Sequence, residues 1–336
     1  MKKLFLVILT SVIGILSAQD PQYSQYYASP LYLNPAFTSV SLGLRANAIY
    51  RSQWNAATNK PFNTFSFSAD YALDKIHSGV GVLATRDRAG TSDLTYTNIS
   101  ALYSYNLHIH DKWVVLAGLQ AGYTIFSLDY DRLHFRSQFD PEEGFINTSS
   151  GENVQGAASV GVPDFSTGLL VYDKDLWFGV SLHHINRPNY SFGSNSDETL
   201  PMKLSIHSGV KIPITKGKFT NKEKEMTITP SFMYKAQEKF DQLDLGMYVN
   251  YHPLVTGLWF RGLPFIKQHK EMPNYDAIAI LIGYHKDNLV IGYTYDITIS
   301  KLGGRSGGAH EISVGYEIAY PPKKKKYAKF IPCPKF

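Results

Sequence analysis

The chain has 336 residues, of which 44% are hydrophobic, 14% aromatic and 18% charged. This apolar content excludes a disordered protein, and the single cysteine, Cys333, excludes an internal disulfide scaffold. The formal charge of +5 comes largely from Lys323, Lys324, Lys325, Lys326, Lys329 and Lys335, so the body is close to neutral and no nucleic-acid partner is expected.

Residues 4–18 form the one long apolar run. Lys2 and Lys3 precede it and Ser17-Ala18 closes it, which reads as an export signal over 1–18 with Gln19 as the first mature residue. No later stretch reaches the roughly 18 to 20 apolar residues of a spanning helix. Residues 19–41 follow as an irregular segment. Asp20-Pro21, Ser29-Pro30 and Asn34-Pro35 bias it toward turns and extended backbone, while Tyr23, Tyr26, Tyr27, Tyr32 and Phe37 offer packing anchors. Two readings are open for it: a plug in a barrel mouth, or a docking segment for a periplasmic partner.

From residue 42 to 320 the dominant period is two, the mark of strands with one apolar and one polar face. In 112–128 the odd positions include Trp113, Val115, Leu119, Tyr123 and Ile125, and the even ones Gly118, Gln120, Gly122 and Thr124. About ten residues of one apolar face with aromatics near both ends suit a tilted transmembrane strand. Leu289, Ile291, Tyr293, Tyr295 and Ile297 repeat the pattern, as do Ile312, Val314, Tyr316 and Ile318 against Glu311, Ser313, Gly315 and Glu317. Inward carboxylates beside glycines suggest a wet lumen. Fourteen strands are predicted: 42–52, 62–73, 78–87, 94–108, 112–128, 164–173, 175–184, 202–215, 225–236, 242–252, 254–261, 276–286, 288–299 and 309–320. Even-numbered connections are mostly short and odd-numbered ones mostly long, above all 129–163. The fold class is therefore an all-β, antiparallel transmembrane barrel of about 14 strands, with outer loops, inner turns and both termini periplasmic. Tyr320 ends the last strand. Pro321-Pro322 then stops it, and 321–336 reads as a basic periplasmic tail open to a partner, or as a solubilising end.

Little in the chain points to catalysis. His108 and His110 share a strand face, and the neighbours His183 and His184 would point to opposite sides, but no motif completes a metal site. Residues 301–308 are glycine-dense without a phosphate-loop ending and read as a flexible outer loop. Asp129, Asp131, Asp140, Glu142 and Glu143 read as a solvated acidic loop, with a calcium site the lesser alternative. No cofactor and no enzymatic activity are expected.

The segment Gln19-Asp20-Pro21-Gln22-Tyr23-Ser24-Gln25-Tyr26-Tyr27-Ala28-Ser29-Pro30-Leu31-Tyr32-Leu33-Asn34-Pro35-Ala36-Phe37 closely resembles the mature N-terminus of the PorP/SprF family of type IX secretion outer-membrane proteins of Bacteroidota. Arg51-Ser52-Gln53-Trp54 is similar to that family's Arg-x-Gln-Trp, and Cys333-Pro334 to its Cys-Pro ending. The resemblance implies an outer-membrane component of secretion and, in gliding species, of motility. The partners it implies are the C-terminal domain of a large secreted adhesin and periplasmic machinery, beside outer-membrane lipid. The outer loops 129–163, 185–201 and 262–275 are expected to hold the adhesin domain. The periplasmic end, built from 19–40 and 321–336, is expected to couple it to the machinery. The candidate partner-binding residues are Asp20, Pro21, Gln22, Tyr23, Ser24, Gln25, Tyr26, Asn34, Pro35, Lys323, Lys324, Lys325, Lys326 and Cys333. The competing class is a passive transporter or porin.

Overall fold

The computed structural model describes residues 20–41, 43–57, 60–90, 93–109, 112–129, 139–140, 144–145, 158–193, 197–214, 226–262, 275–300 and 303–319. Fourteen strands form the barrel. They are β1 (Gly43–Gln53), β2 (Phe62–Leu73), β3 (Ser78–Ala89), β4 (Leu94–Ile109), β5 (Trp113–Ser127), β6 (Ser159–Tyr172) and β7 (Leu176–His183). The second half comprises β8 (Lys203–Val210), β9 (Met226–Gln237), β10 (Phe240–Tyr251), β11 (Leu254–Gly262), β12 (Tyr275–Lys286), β13 (Leu289–Thr298) and β14 (Ala309–Ala319). Each pairs antiparallel with its neighbours in sequence, and β1 pairs with β14 from Gly43↔Ala319 to Gln53↔Ala309. The sheet has no free edge, which is the condition for strands to cross a bilayer.

The period of two sets the two faces. Along β5, Leu119, Tyr123 and Ile125 point out and are exposed, whereas Leu116, Gln120 and Thr124 point in and are buried. The same outward belt continues through Val82, Ile99, Leu169, Leu258, Ile282 and Val314. A continuous apolar surface of that extent is not sustainable in water and marks the face covered by lipid. No helix among the described residues is long and apolar enough to cross a membrane.

Two strands differ from their predicted bounds by more than two residues. β6 starts at Ser159, five residues before the expected 164, because Gly161 and Pro163 hide the alternation while the backbone stays paired with β5. β8 ends at Val210, and Ile212–Pro213 continues it as a two-residue piece against β9. The connection 237–241 between two of the predicted strands contains a tight turn between β9 and β10. The glycine-rich segment also differs from a flexible loop. Gly303–Ser306 form a 3₁₀ turn, and Ser306 and Gly308 carbonyls accept from the Ala56 and Trp54 amides. Most of 129–163, including Asp131, Glu142 and Glu143, and all of 321–336 lie outside the described residues, as do His110 and Tyr320.

The barrel has a loop end, where β1 finishes and β14 starts, and a tail end, where β1 starts and β14 finishes. Replacing Leu119, 61% exposed at the middle of β5, by Arg sets a charge against the lipid chains. It is expected to cost about 2–4 kcal/mol in a denaturant titration of the protein folded in vesicles, whereas Lys112→Gln at the strand's end is expected to change nothing measurable.

Candidate functional site

Residues 20–41 lie inside the barrel. Three short helical pieces give them shape: a 3₁₀ turn over Tyr26–Ala28, a helical turn over Pro30–Leu33 and a second 3₁₀ turn over Pro35–Ser39. The prolines explain the breaks. Pro30 and Pro35 each occupy a first helical position, where a missing N–H costs nothing, and each forces the residue before it out of the helical region. Asn34 is extended, and its Oδ1 accepts from the Ala36 amide at 2.9 Å, capping the turn that follows.

The wall is cut to receive this segment. A Cβ at Gly118 would run into the Ala36 backbone, one at Gly168 into Asn34, and one at Gly79 into Ser39. Ala36 and Leu31 are fully buried as a result. Asn34 Nδ2 donates to the carbonyls of Leu169 and Val180 at 3.0 and 3.2 Å and sits 3.3 Å from His207 Nε2. Phe37 stacks on His207, Tyr27 meets Trp177 edge-on, and Tyr26 meets Trp259 in the same way. Near the tail end Arg45 pairs with Asp70 at 2.8 Å and donates to the Phe37 carbonyl at 3.0 Å.

Charge is concentrated where Ser24 and Gln25 meet the wall. Their amides donate to the two carboxylate oxygens of Glu311 at 2.8 and 2.7 Å. Ser24 Oγ donates to Asp296 at 2.7 Å and accepts from Arg51 at 2.8 Å and from Arg261. Arg51 also bridges Asp296 at 2.7 Å and Glu311 at 2.9 Å, and Arg261 reaches Asp296 at 3.0 Å. Two guanidinium groups and two carboxylates, all nearly inaccessible, thus neutralise one another around a serine of the N-terminal segment. The inward carboxylate Glu311 therefore lies in a packed charge cluster, not a wet lumen.

A second polar cluster holds Asp20. Its carboxylate accepts from His184 at 2.9 Å, from Lys203, and from Gln237 at 3.1 Å, and His184 reaches Asp164 with its other nitrogen at 2.9 Å. His183 and His184 do not point to opposite sides. His184 lies just past β7 with φ of 56°, which breaks the strand alternation and brings both rings inside, where both are buried. Burial raises the Asp20 carboxyl pKa, but the charges and hydrogen bonds of His184 and Lys203 outweigh it and hold the group well below the usual carboxylate range. Gln237 closes β9 and Lys203 opens β8, so Asp20 sits in the loop-end half of the lumen while Ser41 bonds Gly43 and Asp70 at the tail end. The segment therefore runs lengthwise through the barrel, with Asp20 toward the end opposite to Ala319, where β14 finishes.

Of the candidate residues, Asp20, Tyr23, Ser24, Gln25, Tyr26, Asn34 and Pro35 are brought together and buried in the lumen, and Pro21 and Gln22 are half-buried. Lys323, Lys324, Lys325, Lys326 and Cys333 lie outside the described residues. The wall residues that receive the segment, Arg51, Asp164, His184, Lys203, Arg261, Asp296 and Glu311, were not singled out as site residues. Apart from Arg51, which belongs to the Arg-x-Gln-Trp motif, and His184, which belongs to the histidine pair, their sequence signal is charge on the inward face of strands whose outward face is apolar.

Fold and site together define a transmembrane β-barrel plugged by its own N-terminal segment. The sequence profile described as "Type IX secretion system membrane protein PorP/SprF" matches residues 15–316, and the chain belongs to that family of outer-membrane β-barrels. No curated protein sequence matches it. Similar solved structures include the CymD monoaromatic hydrocarbon channel (12% identity, 87% of this chain and 93% of that one, TM-score 0.48). The P. putida toluene transporter TodX is similar at 10% identity, over 86% and 93% of the two chains, with a TM-score of 0.48. Haemophilus ducreyi BamA lacking POTRA domains 1-3 is similar at 7% identity, over 83% and 70%, with a TM-score of 0.39.

Replacing Arg51 by Met strands two buried carboxylates on one remaining arginine. Stability in a denaturant titration is expected to fall by about 3–5 kcal/mol, and Glu311→Gln added to that variant is expected to recover part of the loss. For Asp20 the depressed folded-state pKa means that its stabilisation is full above the ordinary carboxylate value of about 3.9 and is lost as pH falls through the folded value. Amide protection over 22–27, expressed relative to the intrinsic exchange rate at each pH, is therefore expected to be flat from neutral pH to about pH 4 and to fall below it. Asp20→Asn is expected to abolish that acid step.

Proposed function

We propose that this chain is a non-enzymatic outer-membrane component of type IX secretion that holds the C-terminal domain of a large secreted adhesin at its loop end. The tail end, extended by 321–336, faces the periplasm and couples the barrel to periplasmic machinery. In gliding species the same connection serves motility. Residues 1–18 act as the export signal and 321–336 as a basic tail. The observation that carries this reading is the filled lumen. A barrel whose interior is occupied by its own neutralised segment is suited to a scaffold rather than to solute passage, and the family supplies the secretion system it serves. Because Ser24, Gln25 and Tyr26 are engaged with the wall, the segment 20–41 acts as a plug in this conformation and contributes to coupling only on release.

The test is native purification through a C-terminal tag from mild detergent without crosslinker, with mass spectrometry of what accompanies the barrel. A large secreted protein or periplasmic type IX components are expected, and deletion of 321–336 is expected to lose the periplasmic components while the barrel still assembles. A lone barrel that conducts ions steadily in a planar bilayer would overturn the proposal in favour of the passive transporter.

A further inference from the structure

The outward row of β3 changes character along its length. Val80 and Val82 are exposed, Ala84 is half-exposed, and the next two outward residues toward the loop end are Arg86 and Arg88. Thr85 and Asp87 between them turn inward, bonding Ser66 and Thr64, so the alternation fixes both guanidinium groups on the lipid-facing side. Their flanks are apolar or uncharged: Phe65, 49% exposed, is level with Arg86 on β2, Thr97 is level with it on β4, and Asn63 is level with Arg88. Arg88 donates to Asp93 at 2.9 Å and Lys60 reaches the same carboxylate at 3.3 Å, both side chains being about half-exposed. Arg86 has no hydrogen-bond or ion-pair partner among the described residues. Arg88 and Lys60 therefore share one carboxylate at the upper border of the apolar belt, and Arg86 stands one turn of the alternation below them.

Charged side chains at such a depth are retained where a counter-charge meets them. Water-facing loops offer no reason for Arg86 to stand in line with Val80 and Val82. We propose that Arg86, Arg88 and Lys60 form a binding site on the outer wall for the phosphate of a lipid headgroup in the leaflet at the loop end. The two arginines are about 7 Å apart along the strand, two residues at about 3.3 Å each. Planar guanidinium groups at that spacing grip one phosphate through forked hydrogen bonds from two sides, while the acyl chains lie along Val82, Ile99 and Phe65. Asp93 orients Arg88 and Lys60 and leaves a surplus of positive charge for the lipid.

The experiment uses the full purified chain in detergent and native mass spectrometry, with phosphorylated lipid A and its dephosphorylated counterpart as probes. Wild type is expected to retain the phosphorylated lipid preferentially. The double variant R86Q/R88Q is expected to lose about thirtyfold in that affinity, at the usual contribution of an interfacial cation, with R86K/R88K in between. K286Q, an exposed cation at the tail end, is expected to behave as wild type. Heat-dependent gel mobility checks that each variant is a folded barrel. Should the double variant not fold, R86Q alone is expected to lose about fivefold. Equal retention of the two lipids by wild type, or unchanged affinity in the folded glutamine variants, would overturn the proposal.

Discussion

A barrel of fourteen strands encloses more room than its inward side chains fill, since eight strands already suffice to seat them. The interior must then be wet, or be filled by chain from elsewhere. This protein takes the second course, and much of its composition follows from it. The wall carries glycine where the segment comes closest, as at Gly118 and Gly168, and aromatic rings where the segment offers tyrosine. It carries charge where the segment offers amides and a hydroxyl. Burial of four ionised groups is tolerable only because they are paired and each finds hydrogen bonds from the segment or from another strand. The plug and the wall are in this sense one core, cut along a cylinder instead of a plane.

The fold was legible in the sequence because lipid imposes a simple code. Every outward residue of a spanning strand must be apolar over about ten positions, so β5, β13 and β14 could be read from alternation alone. Where the code weakens, reading weakened with it. Gly161 and Pro163 hid the start of β6, and the short β7 ends, and the short β8 begins, at the lumen's polar cluster. The site was only half legible. Tyrosines and prolines of the N-terminal segment were visible as a packing motif, but the segment's partners stand far along the chain, more than 200 residues away for Glu311 from Ser24 and Gln237 from Asp20. No local period reports such a pairing. The left-handed backbone at His184, which overrode the expected alternation, is equally invisible in a run of two histidines.

Two stretches that made the resemblance persuasive as separate motifs turn out to be a single structural unit. Arg51 of Arg51-Ser52-Gln53-Trp54 enters the lumen and bonds Ser24 of the N-terminal motif. Trp54 meanwhile turns back to the glycine-rich segment before β14 through the Gly308 carbonyl. A position that is hard to explain on an isolated strand becomes necessary once the interior is filled.

Arg51 and Glu311 are also directly opposite one another in the pairing of β1 with β14. These strands are the first and last of the sheet, and the ladder between them is the one that turns a curved sheet into a closed wall. The residues that lock the segment in place therefore sit on the clasp itself. Closure of the wall and occupation of its interior thus rest on the same residues, since Ser24 supplies a hydrogen-bonding partner to both sides of the clasp. A seam without its occupant would keep its charges paired across the wall but would lose the two amides and the hydroxyl that complete their hydrogen bonds.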